Sequence, residues 1–132
     1  MENQCLHVAK PKKHLNTKPM KLIKAYIRHR MIEKVYQSLR NAGFCCMTMV
    51  ECEGTGMYSD HEKKHISTKY PFAEAYRIIK LEILIDEKDL QKVVKLIRQS
   101  GRTGYSGDGM IIVSQADEVY KVRTDEEGFS SV

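Results

Sequence analysis

Gly101-Arg102-Thr103-Gly104-Tyr105-Ser106-Gly107-Asp108-Gly109 holds half of the chain's 8 glycines and runs straight into the apolar segment Met110-Ile111-Ile112-Val113. A turn this rich in glycine leaves backbone N–H groups uncovered and lets a ligand approach the main chain. Arg102 adds a fixed cation, and Lys121 and Arg123 follow on an alternating segment downstream. The combination suits an anionic group, phosphate first. A plain connecting turn is the simpler alternative for the stretch taken alone.

Working back from it, Leu90, Val93, Val94 and Ile97 recur at helical spacing, with Asp86 placed to cap the start and Gly101 at the end. Before that helix, Tyr76–Ile85 reads as a strand. Residues 57–75, rich in Ser, Lys, His and Glu, form an irregular connection longer than so small a domain needs for a turn. Cys46–Glu53 reads as another strand, closed by Gly54-Thr55-Gly56. Ile32, Val35, Tyr36 and Leu39 mark a first helix ended by Gly43. Lys21–Arg28 alternates as a strand with Ile23, Ala25 and Ile27 on one face. Residues 1–19 carry lysines, prolines and histidines without periodicity and read as a flexible basic extension. The domain then spans 20–128, with a short tail at 129–132.

The order strand, helix, strand, strand, helix, strand is the split βαβ arrangement, an α+β ferredoxin-like sandwich (βαββαβ) with a long loop between its second and third strands. Two helices cover one sheet face. The other face, to which we assign Tyr26, Met47, Met49 and Lys80, needs a cover that a symmetric oligomer would provide.

Composition narrows the function classes. The chain has 132 residues, 42% of them hydrophobic, and a net charge of +5. That is enough for one core, and the mild basicity falls short of a nucleic-acid footprint. No apolar run approaches a membrane span, the N-terminus lacks the apolar stretch of a signal peptide, and the 4 cysteines make no disulfide-like pattern, so a cytoplasmic protein is expected. An enzyme on this frame would want a nucleophile or a carboxylate pair in the glycine stretch, which has no His or Cys there and only Asp108. A base-stacking module would want aromatics on central strands, whereas the chain has no Trp and 8% aromatics.

Arg102-Thr103-Gly104, then Gly107-Asp108-Gly109 with its apolar strand, then Glu118-Val119 and Lys121-Val122-Arg123-Thr124, resemble the PII signal-transduction (nitrogen regulatory) family. Lys80-Leu81-Glu82-Ile83 and the segment Gly43 to Gly56 match the family's strands on either side of its long loop. The resemblance runs from about Lys21 to Gly128. It implies a homotrimer that binds ATP or ADP, with AMP a further candidate, in clefts between subunits. It also implies a loop of about residues 55–75 that docks on a target protein, either a membrane transporter or a cytoplasmic enzyme.

Carried across, Gly107, Asp108 and Gly109 would wrap phosphates with backbone N–H groups. Lys121 and Arg123 would pair with phosphate oxygens, and Arg102 would lie nearby. Thr48, Glu82 and Leu84 would line the base pocket, and Gly54 and Gly56 would let the loop base approach the nucleotide. The family's lysine after the last loop glycine is Met110 here, and the first basic residue of its arginine pair is Lys121, a point charge without the bidentate fork. Both changes favour fewer phosphates. Its Arg-Gln after the second loop glycine is Met57-Tyr58, and its lysine two residues before Lys80 is Ile78. These losses remove ligands for magnesium and argue against 2-oxoglutarate as co-effector. They leave bicarbonate, another small anion or a metal as the alternative signal. Tyr70 lies near the family's modified tyrosine, but Lys69 and Pro71 do not match its context.

Three other features carry metal-binding residue types. His61 and His65 are four apart in Asp60–His65, but Lys63 and Lys64 between them oppose a cation, and a solvated charge run is the expectation. Cys45 and Cys46 are adjacent. On a strand they would point to opposite faces, one into the core and neither sharing a ligand. Met47 and Met49 read as apolar strand residues, with a soft-metal site the lesser alternative.

Overall fold

In a computed structural model of the chain, residues 19–56 and 64–125 are described. The elements are β1 (Met20–Arg28), a single 3₁₀ turn, α1 (Ile32–Asn41), β2 (Met47–Gly54), β3 (His65–Ile66), β4 (Glu74–Asp86), a second 3₁₀ turn, α2 (Leu90–Gly101) and β5 (Met110–Ala116). The sheet order is β2-β4-β1-β5, every neighbour antiparallel, with β3 paired to the start of β4. This is the expected α+β ferredoxin-like arrangement.

Strand alternation builds the core. Ile23, Ala25 and Ile27 of β1 and Leu81, Ile83 and Ile85 of β4 point to one side, where Val35 and Leu39 of α1 and Val93 and Ile97 of α2 meet them. Each such aliphatic side chain contributes about 1.5–3 kcal/mol when fully buried. Gly101 closes α2 where the helices approach: a Cβ there would lie 3.3 Å from Val35 Cγ2. The turn before α2 is held by Asp86, whose Oδ1 accepts from Lys88 N at 3.1 Å, and by the Glu87 N–H donating to the Pro19 carbonyl at 3.0 Å. α1 ends with Phe44 N–H bonded back to the Leu39 carbonyl at 2.9 Å, past Gly43.

Two sequence expectations change. Met47 and Met49 pair with Ile83 and Leu81, so they lie on the helix side of the sheet, and Met47 packs against the core. Tyr26 and Lys80 do share the open face, directly opposite each other. The parity of β2 follows from its register with β4, which the alternation of β2 alone does not reveal. Cys45 and Cys46 precede β2 instead of lying on it. Both are exposed, and their Sγ atoms are 3.6 Å apart, so the opposite-faces rule does not apply.

The long connection is also more ordered at its far side than its composition implies. β4 begins at Glu74, and His65 and Ile66 pair with Ala75 and Glu74. Between them Ser67, buried, accepts backbone N–H bonds on Oγ from Lys69 at 3.1 Å and Tyr70 at 2.9 Å, while its own N–H donates to the Ala73 carbonyl at 3.1 Å. The turn presents Tyr70 and Phe72, ring centroids 6.3 Å apart, to the outside. His61, Met57 and Tyr58 lie outside the described residues. His65 stands on a strand, so helical spacing with His61 has no bearing on it.

Candidate functional site

The glycine stretch folds around one carboxylate. Asp108 turns inward and accepts from Thr103 N at 2.9 Å, Gly104 N at 2.8 Å, the Thr103 hydroxyl, and Arg28 Nε at 3.0 Å. Partial burial pushes the Asp108 carboxyl up, but the Thr103 hydroxyl, the Arg28 guanidinium and the two N–H donors outweigh it and hold it down at about 2. Arg28, 7% exposed at the end of β1, also donates through Nη2 to the carbonyls of Ser106 and Tyr105. The loop is thus stapled from beneath by a cation on another strand. Its carbonyls are drawn toward Arg28, and Gly107 and Gly109 take the left-handed φ values +99° and +100°.

Gly109 has a second constraint. A Cβ on it would fall 1.7 Å from the Tyr26 carbonyl oxygen, so only glycine lets β5 start against β1. Beside this start lies an open cleft of about 410 Å³, bordered by Tyr26, Arg98, Arg102, Asp108, Gly109 and Met110. Two guanidinium groups and an amide-rich loop at one cleft can bind and orient an anion.

The remaining expected site residues sit elsewhere. Thr48 and Glu82 are paired across β2 and β4, and Leu84 follows two residues along on the same open face. Glu82 Oε2 is 3.7 Å from Lys80 Nζ. Gly54 ends β2 opposite Tyr76, its open side covered by Tyr76 and by Ile78 Cδ1, 3.2 Å from where a Cβ would be. Gly56 follows with exposed backbone. β5 runs from Met110, opposite Tyr26, to Ala116, opposite Met20, so Lys121 and Arg123 leave the sheet at the end away from the glycine loop. Residues 117–125 form no strand beyond a bridge at Tyr120. The base-pocket residue Thr48 and the phosphate-loop residue Met110 therefore stand on the two opposite outer strands, β2 and β5.

Residues 20–126 match the family described as Nitrogen regulatory protein P-II. The chain belongs to the P-II family. It is 36% identical over 109 residues to the nitrogen fixation nifHD region GlnB-like protein 1 of Methanothermobacter marburgensis, covering 83% of this chain and 99% of that protein. It is 33% identical over 113 residues to the P-II of a Synechocystis species, covering 86% of this chain and all of the relative. The fold is shared with Arabidopsis thaliana PII, solved bound to citrate, at a TM-score of 0.68 and 24% identity over 84% of this chain and 90% of that one. P-II proteins are nitrogen-regulatory signalling proteins that act on partner proteins. No helix among the described residues is long and apolar enough to cross a membrane.

Within this P-II chain, sequence reading missed Arg28. Nothing local separates it from Lys24 two turns of alternation earlier, since its partner Asp108 is 80 residues away. The Asp108 side chain serves the turn itself, bonded to Thr103 and Gly104, which leaves its backbone for a ligand. Ser67, central to the far side of the long loop, had no marker beyond a polar stretch.

Proposed function

We propose that this P-II protein is a non-enzymatic cytoplasmic regulator that forms a homotrimer and binds an adenine nucleotide between subunits, ADP or AMP in preference to ATP. The observation carrying this is that the expected base-pocket residues stand on β2 and β4 while the phosphate loop leads into β5, the outer strand at the far edge of the sheet. In one copy Thr48 is separated from the loop Gly107–Gly109 by β4 and β1; two copies side by side would bring the two groups to one cleft. The open sheet face supports the same assembly. It carries Leu22, Tyr26, Leu84 and Ile112, with no helix of the described residues over them, and half-buried apolar faces of this kind are covered in symmetric oligomers. In that cleft the loop N–H groups and Arg102 would hold phosphate oxygens, and Lys121 and Arg123 of an adjoining copy would neutralise them. The exposed turn at Tyr70 and Phe72 would meet the regulated partner.

Met110, where a lysine is expected, is 61% exposed and brings no charge to the phosphates. Ile78, where another lysine is expected, is buried against Gly54. The first favours fewer phosphates, and the second favours a sensor without a 2-oxoglutarate response, which keeps a small anion such as bicarbonate as the second reading. Calorimetric titration with ATP, ADP and AMP, each with and without magnesium and 2-oxoglutarate, tests the proposal. The expected result is saturable ADP or AMP binding that 2-oxoglutarate leaves unchanged. Nucleotide binding seen only with 2-oxoglutarate, or bicarbonate binding in the absence of any nucleotide binding, would overturn it.

A further inference from the structure

Cys45 and Cys46 lie between the end of α1 and the start of β2, both exposed, with Sγ atoms 3.6 Å apart. They border a depression of about 190 Å³ that also takes in Asp86 and Asp89. We propose that the two thiols form a chelating site for a soft, thiophilic metal ion, Cu(I) foremost. Metal–sulfur bonds of about 2.3 Å to two sulfurs at this separation subtend about 100° at a bridging ion, so the pair can close on one ion with little movement. Thiolates are the ligands that soft ions prefer, and the carboxylates of Asp86 and Asp89 lend negative charge to the approach.

Among the described residues, no group of three His, Cys, Asp or Glu side chains stands close enough to share a metal. The described residues supply two sulfurs, and an external thiol completes a three-sulfur shell. Cu(I) is stable with three sulfur ligands, whereas Zn(II) takes four. Binding displaces both thiol protons. The site rests on the thiol pair and not on the nucleotide reading, although its depression also borders Leu84.

The test uses the full chain, fully reduced and anaerobic, competing for Cu(I) with a coloured Cu(I) chelator. One Cu(I) per chain is expected. Either Cys45→Ser or Cys46→Ser should weaken it on the order of 100-fold, the advantage of closing a chelate on one ion. Cys52→Ser and Cys5→Ser should bind as wild type, and Zn(II) at equal concentration should not displace the copper. Because Cys45 and Cys46 are both exposed, circular dichroism should show their two variants folded. Wild-type affinity in both Cys45→Ser and Cys46→Ser, or equal loss in Cys5→Ser or Cys52→Ser, would overturn the proposal.

Discussion

Gly109 approaches the Tyr26 main chain so closely that a single added carbon would sit 1.7 Å from the Tyr26 carbonyl oxygen. This contact sets where β5 begins, and so where the whole glycine loop is held over the end of β1. Gly109→Ala should destabilise the fold by about 3 kcal/mol or more, since it combines a left-handed φ with a backbone clash that no side-chain rotation relieves. Gly104→Ala, at φ +94° with open space around it, should cost only about 1–2 kcal/mol. Urea unfolding of both variants checks the difference; equal midpoints would show that the close approach relaxes freely.

The Arg28–Asp108 pair predicts an acid-sensitive loop. The folded carboxyl titrates at about 2 against an ordinary 3.8. Asp108 therefore contributes about 2 kcal/mol that is complete above roughly pH 4 and is lost as pH falls toward 2. Asp108→Asn should flatten the stability profile in that window. At neutral pH it should cost about 3 kcal/mol, because the buried Arg28 loses the charge of the carboxylate it faces. Denaturant midpoints measured between pH 2 and 7 for wild type and variant decide this, and an unchanged slope below pH 4 would count against it.

Arg123→Ala should lower nucleotide affinity by about 1.5–3 kcal/mol, the size of a hydrogen bond to a charged group. The fold should be unaffected, as the residue is exposed. Calorimetry with ADP reads the first effect and thermal unfolding the second. Equal affinity in wild type and variant would remove this arginine from the site.

Phe72 is 89% exposed on the turn that Ser67 organises. Phe72→Ala should leave stability within about 0.5 kcal/mol and leave nucleotide binding intact, while weakening capture of the regulated partner. Ser67→Ala removes an acceptor shared by two backbone N–H groups. Amide exchange should quicken across 67–73 by a factor consistent with about 1 kcal/mol, with the global midpoint little changed. Unaltered exchange there would mean that the turn is held by Ala73 and β3 alone.

Much of this architecture was written in short-range pattern. Ile23, Ala25 and Ile27 at period two, and Val35 with Leu39 and Val93 with Ile97 at helical spacing, identify their elements because burying an apolar face requires that periodicity. The glycine loop was equally legible, since its residues and the apolar strand after it are contiguous.

What stayed hidden depends on pairing across the chain. Which face Met47 and Met49 take was decided by the register of β2 on β4, because one residue of slip moves every side chain to the other face. The two-residue strand His65–Ile66 forms only because the start of β4 is there to receive it. Arg28 gained its role from a carboxylate 80 positions later, and Gly109 its necessity from the Tyr26 carbonyl. Cys45 and Cys46 became neighbours in space, and not merely in order, when the chain entered β2 one residue later than its alternation indicated. Local chemistry chose the elements; long-range packing chose which of their atoms meet, because only contact between distant segments excludes the alternatives that a short stretch leaves equal in energy.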